Sequence, residues 1–100
     1  MSEIINIRKN KGKEKFVYIG RVANSRCYFG NPFVMGRDGS RDQVCDKHIA
    51  WLDGTDFKDF RQKQRKWVLE NLWRLKGENL GCFCAPKRCH GLYLMEIANQ

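Results

Sequence analysis

The sequence predicts one small α/β domain, with helices packed on a small mixed or parallel sheet, in the order ββααβα and with Rossmann-like layering. Three observations predict it: two short β-branched and aromatic runs near the start, two stretches of helical periodicity in the middle, and a third apolar run ahead of a last amphipathic segment. A chain of 100 residues has room for one core, so residues 1–100 are expected to form a single domain.

Ile4-Ile5-Asn6-Ile7 and Phe16-Val17-Tyr18-Ile19 read as strands. Between them Arg8, Lys9, Lys11, Lys13 and Lys15 face the single acid Glu14, and Gly12 sits in the middle. A solvated hairpin turn is expected there, with a phosphate-contacting loop as the alternative. Residues 20–39 carry Gly20, Gly30, Pro32, Gly36 and Gly39 without sustained periodicity, which predicts a long irregular loop. Its aromatic and apolar content predicts that this loop packs.

Ser40 followed by Gln43 fits a reciprocal helix cap. Val44, Cys45, His48, Ile49 and Leu52 then recur at helical spacing up to Asp53-Gly54. Thr55 reads as a second cap, and Phe57, Phe60, Trp67, Val68, Leu72 and Leu75 predict one face of a longer helix ending at Gly77. Residues 79–84 read as a strand that sets Cys82 and Cys84 on one face, because side chains alternate along a strand. Ala85 to Arg88 reads as a turn, and Cys89 as the start of a last helix burying Leu92, Tyr93, Ile97 and Met95. The 16–20 and 80–84 strands are expected to be parallel neighbours joined by a helical crossover. Ligands of such sheets gather at the carboxyl ends of strands, where the loop after Gly20 and the cysteine turn both leave.

Composition narrows the function. The apolar runs fall far short of the roughly 20 residues needed to span a bilayer, so no membrane partner is expected. The start Met1-Ser2-Glu3-Ile4 has no secretory pattern, which predicts a cytoplasmic protein. Five cysteines, an odd number, disfavour a disulfide framework and favour reduced thiols or metal ligands. A net charge of +8, with both halves of the chain basic, predicts an anionic partner such as a nucleotide or nucleic acid.

Two stretches carry candidate chemistry. Cys82, Cys84, Cys89 and His90 offer four soft ligands within nine residues, a composition that suits zinc. Their spacing, C-x-C and an adjacent Cys-His, departs from the usual paired pattern. Cys89 and His90 are also the catalytic candidates: a thiol at a helix start beside Lys87 and Arg88 is expected to be acidic. Adjacent helical residues point about 100° apart, so His90 is expected to face the ligand rather than act as base for Cys89. Free amides there, with Lys87 and Arg88, also suit a phosphate. The bland alternative makes Cys82 and Cys84 small core residues and His90 a cap.

The second stretch, Gly36-Arg37-Asp38-Gly39-Ser40-Arg41, leads into a helix and offers amides and two guanidinium groups to an anion. It lacks the ending of a P-loop and is no dinucleotide fingerprint, and it also reads as an ordinary Asp-Gly turn. His48 reads as a core histidine with a satisfied hydrogen bond, and the three tryptophans read as packing residues.

Val17-Tyr18-Ile19-Gly20-Arg21, Gly30-Asn31-Pro32-Phe33, the 36–41 stretch, Trp51-Leu52, Leu80 through Pro86 and Cys89-His90-Gly91 together resemble the domain of unknown function 4326 (DUF4326), a family of short bacterial and phage proteins. The resemblance covers about residues 4 to 99. It implies a bacterial or phage setting, host cytoplasm included, and that the motif residues form one site. Members carry Trp where this chain has Phe83.

Two functions follow as expectations. In the first, Arg21, Asn31, Gly36, Arg37, Asp38, Gly39, Ser40, Arg41, Lys87 and Arg88 bind the phosphate of a nucleotide or nucleic acid beside the Cys89-His90 helix start. In the second, zinc held by Cys82, Cys84, Cys89 and His90 stabilises a non-catalytic module that grips nucleic acid or a host protein.

Overall fold

The computed structural model describes residues 3–21 and 28–100. Residues 22–27 of the predicted loop, Cys27 among them, lie outside the described residues. In chain order the elements are β1 (Ile4–Asn6), α1 (Ile7–Asn10), β2 (Val17–Tyr18), α2 (Arg41–Asp53), α3 (Gln62–Asn71), a 3-10 turn (Leu72–Arg74), β3 (Leu80–Cys82) and α4 (Gly91–Ala98).

The three strands form one parallel sheet in the order β1-β3-β2. Ile4, Ile5 and Asn6 pair with Leu80, Gly81 and Cys82, while Val17 and Tyr18 pair with Leu80 and Gly81 from the other side. The ladder continues past the strand ends through Val17 N–H to Asn79 O (2.8 Å) and Ile19 N–H to Gly81 O (3.0 Å). All three residues of β3 are buried, as a central strand of a parallel sheet must be when both faces are covered. The expected pairing of the second and third strands is therefore present, with α2 and α3 in the crossover.

The first connection differs from the expected hairpin. Asn6 ends β1 by accepting the Arg8 amide on its side chain, and Ile7–Asn10 make one helical turn. Asn10 is buried and bonds Glu14 twice, donating to its carbonyl and accepting its amide, which closes the basic stretch locally. β1 and β2 are parallel with β3 between them, an arrangement a tight turn cannot produce.

The second helix is also shorter than its apolar period. Phe57 and Arg61 sit at φ of 55° and 45°, outside helical space, so α3 begins only at Gln62. Tertiary bonds hold this break: Trp51 Nε1–H donates to Phe60 O (2.7 Å), and Gln62 Nε2 donates to the carbonyls of Phe57 and Phe60. The loop thus brings Phe57 and Phe60 against Phe33, with ring centroids 4.8 and 5.1 Å away. Thr55 caps nothing; its hydroxyl donates back to Ala50 O. The cap expected at the start of α2 is present in both directions between Ser40 and Gln43, and Gly54 closes that helix in the left-handed region.

Trp51, Leu52, Val68, Leu75, Leu80 and Leu94 form the centre of the core together with Ile19 and the loop aromatics Phe29 and Phe33. Trp73, by contrast, is 74% exposed on the 3-10 turn. No helix of the described residues is long and apolar enough to cross a membrane.

Leu80 has no exposed surface and touches the core from the middle strand. Leu80→Ala is expected to cost about 2–5 kcal/mol in urea unfolding, whereas Trp73→Ala should change stability by less than about 0.5 kcal/mol. Equal losses for the two variants would contradict this account of the core.

Candidate functional site

A cleft of about 440 Å³ opens where the carboxyl ends of β2 and β3 leave the sheet. Tyr18, Gly20 and Arg21 form one wall, Asn31 and Phe33 to Met35 a second, Arg41, Val44 and Cys45 a third, and Cys82 to Cys84 with Arg88 to His90 the floor. This is where an open parallel sheet collects ligands. A hollow at Arg61–Gln64 shares no lining residue with it.

Of the predicted residues, Arg21, Asn31, Arg41, Cys82, Cys84, Arg88, Cys89 and His90 line the cleft. Gly36, Arg37, Asp38, Gly39, Ser40 and Lys87 are not among the residues that line it. The 36–40 loop satisfies its own polar groups. Arg37 grips Asp38 Oδ2 with Nε (3.0 Å) and Nη2 (2.8 Å), and the same oxygen accepts the Val34 amide at 2.7 Å. Arg37 beside Asp38, and then the Val34 amide, hold that carboxyl below its ordinary range. Lys47 Nζ donates to Asp38 O, and Gly36 N–H to Gly39 O. Ser40 is committed to its cap. The loop thus shapes the entry to α2, and the Arg that reaches the cleft is Arg41.

Arg41 and Arg88 staple the two distant stretches together. Arg41 Nη1 donates to Arg88 O (3.2 Å), while Arg88 reaches back to Asp42 O, Asp42 Oδ1 and Asp46 Oδ1 at 3.1, 3.2 and 2.8 Å. Across the cleft Arg21 donates to the carbonyls of Asn31 and Phe33, both at 3.2 Å. Asn31 is itself buried, donating to Val44 O and accepting the Phe33 amide. Arg21 and Arg41 each engage only part of their five donors in these bonds.

The sulfurs of Cys82, Cys84 and Cys89 converge to within 4.8 Å of one another. Cys89 Sγ–H donates to Cys82 Sγ at 3.4 Å, and the Gly91 amide donates to Cys89 Sγ at 3.4 Å. The Cys89 hydrogen bond, reinforced by the amides of Cys84 and Ala85, brings the Cys82 thiol down to about 6. Cys89 moves the other way, pushed up first by Cys82 and then by burial. The acidic thiol is therefore Cys82, which corrects the expectation for Cys89. The reason is local: α4 starts two residues later, at Gly91, Lys87 is exposed, and Arg88 turns toward Asp42 and Asp46. Gly91 lets the start of α4 pack closely on Ile19 and Ile4, whose side chains a Cβ there would strike.

His90 also departs from expectation. It precedes the helix, and its Nδ1 lies 3.5 Å from Cys89 Sγ instead of facing away. Nε2 lies 2.9 Å from Ile19 O and 3.0 Å from Phe29 O. Two carbonyl acceptors place the proton on Nε2 and leave the Nδ1 lone pair toward the sulfur. Burial takes His90 down to about 4 against the opposing pull of those carbonyls. The His48 ring stands perpendicular to it, centroids 5.1 Å apart, and burial followed by His90 holds His48 well below its ordinary value. His48 is a core histidine as expected, but among the described residues its Nδ1 has no hydrogen-bond partner.

Sequence reasoning missed the aromatic wall. Tyr18 and Phe83 meet edge to face at 6.3 Å, Phe83 is 50% exposed, and the Arg8 guanidinium lies 5.1 Å from the Phe83 ring centroid. The signal was the alternation of the strands: Tyr18 sits between Val17 and Ile19, and Phe83 between two inward cysteines. Cys45 was read only as a helix-face residue, yet it too lines the cleft.

The neutral histidines make stability depend on pH. Unfolded histidine titrates near 6.5, so below that value the unfolded chain binds protons that the folded chain refuses, at His90 until about pH 4 and at His48 until well below its ordinary range. With a chelator present, the two histidines should make stability fall as pH drops from 6.5 to 5, by up to about 1.4 kcal/mol per pH unit for each, while the depressed Cys82 thiol should make it rise between about pH 6 and 8.5. His90→Asn should show a shallower slope in urea unfolding over the histidine window. A flat profile over that window would show that the imidazoles are not held neutral.

The family model of a domain of unknown function (DUF4326) matches residues 5–100. Uncharacterized protein R718 of Acanthamoeba polyphaga mimivirus is 24% identical over 111 residues, spanning 94% of this chain and 77% of the relative. No solved structure matches. The match runs through every element that lines the cleft, and the chain belongs to the DUF4326 family.

Proposed function

We propose that the protein binds a phosphate-bearing nucleotide, free or within a nucleic acid, in the cleft at the carboxyl edge of the sheet. The observation that carries this reading is the union of two guanidiniums with donors to spare, Arg21 and Arg41, with the exposed aromatic pair Tyr18 and Phe83 around one opening. Guanidiniums match phosphate oxygens, and an exposed ring gives a base a face on which to stack. The net charge of +8 favours the approach of such a ligand. The same parallel strand ends underlie a Rossmann-like reading of the fold. The reading carries with it a cytoplasmic setting, in a bacterium or a phage-infected host, where nucleotides are at hand.

The second reading is a zinc-stabilised, non-catalytic module that grips nucleic acid or a host protein. It draws support from the three converging thiols, whose softness and spacing suit zinc. The two readings are compatible, since the thiols form the floor of the same cleft.

Thermal shift and titration calorimetry with a nucleotide panel test the first. At least one nucleotide should stabilise the wild type, and Arg41→Ala or Phe83→Ala should each weaken it about tenfold or more, the scale of one lost phosphate contact or stacked base. Arg37→Ala, outside the cleft, should bind within about twofold of wild type. If no nucleotide acts, or if Arg37→Ala is as damaging as Arg41→Ala, the assignment fails. Elemental analysis tests the second: about one zinc per chain is expected, with a lower melting temperature after chelation. Protein that is metal-free and indifferent to added zinc would dismiss it.

A further inference from the structure

We infer that a soft divalent metal held by Cys82, Cys84 and Cys89 keeps one coordination position open to the cleft, where a guest with a nitrogen or anionic oxygen donor ligates it directly. This rests on the zinc reading above and adds to it that the site is exchangeable rather than closed.

Three features carry the inference. First, the three sulfurs lie within 4.8 Å of one another, and among the described residues no fourth Cys, His, Asp or Glu joins them. A structural zinc site is closed by four protein ligands, whereas a site that works on a guest has three and a free position. Second, the nearest spare donor is tethered. His90 Nδ1 lies 3.5 Å from Cys89 Sγ but not within 4.8 Å of all three sulfurs, and its bonds to Ile19 O and Phe29 O hold the ring in place. Third, the open side of the triangle is the cleft. All three cysteines line it; Cys82 and Cys89 are 3% and 4% exposed, and Cys84 is half-buried.

The surroundings suit such a centre. Amides already point at two of the sulfurs, Gly91 at Cys89 and both Cys84 and Ala85 at Cys82, as thiolates require. Three thiolates and a divalent ion carry one net negative charge, which Arg21 and Arg41 offset from the cleft walls while leaving attraction for an anionic guest.

Cobalt(II) in place of zinc gives the test, because thiolate-to-cobalt charge transfer and visible d–d bands report the ligands. One equivalent of cobalt should bind to the full chain. Cys82→Ser, Cys84→Ser and Cys89→Ser should each lose the charge-transfer band, while Cys45→Ser, Cys27→Ser and His90→Ala keep it. Imidazole added to the wild-type cobalt protein should shift the d–d bands saturably without releasing metal, a readout that needs no variant to fold. If imidazole leaves the bands unmoved, or if Cys27→Ser or His90→Ala abolishes them in a folded protein, the site is closed by a fourth protein ligand; the open position is then refuted while the zinc reading stands. If no charge-transfer band forms at all, the zinc reading falls with it.

Discussion

The structure depends on the hydrogen bonding of β3 on both of its edges. Because β1 and β2 run parallel to it, each must enter from the same end, and each must leave at the carboxyl edge. Parallel neighbours cannot be joined by a tight turn, so the chain between β2 and β3 has to travel through α2 and α3. The detour carries the 28–35 segment and the start of α2 across the strand ends. Asn31 then fastens the segment to α2 through Val44 O, and Gln64 fastens it to α3 through the carbonyls of Tyr28 and Gly30. The cleft is what remains between these pieces.

Charge in this protein is used at two levels. Arg37, Arg88 and Arg41 organise backbone and carboxylates within the fold, and the Arg41–Arg88 exchange ties together segments 47 positions apart. Such bonds orient guanidiniums as well as hold loops, since a group fixed at one N–H presents the others in a defined direction. The walls of the cleft therefore carry positive charge that is already ordered before any ligand arrives, which lowers the entropic cost of gripping an anion.

At the floor, the cysteines and histidines form a layer in which protons are scarce. His90 gives its single proton to two carbonyls, and its free lone pair competes with Cys82 for the one proton of Cys89. His48, packed perpendicular to His90, adds another neutral ring to the same buried patch. A cluster with more lone pairs than hydrogens is a natural receptor for a cation, and the same burial keeps both imidazoles uncharged.

Features that depend on neighbours in the chain were legible in the sequence. The Ser40–Gln43 cap, the left-handed stop at Gly54, the pairing of the second and third strands and the convergence of the cysteines all follow from spacing and alternation. The Arg21, Asn31, Arg41 and Cys89-His90 stretches line one cleft, as the strand-end rule and the family resemblance implied, whereas residues 36–40 stay outside it. Only the tertiary structure decided that β1 lies beside β3, that Phe57 to Arg61 interrupt a helical period, that Arg37 pairs with Asp38 at the surface, and that the acidic thiol is Cys82. Each of these is set by a partner chosen in space: Trp51 for the carbonyl of Phe60, the Val34 amide for Asp38, the thiol of Cys89 for Cys82. Periodicity and capping are energies of a few adjacent residues, whereas the partner of a long side chain or a buried thiol is settled only when the whole core has closed around it.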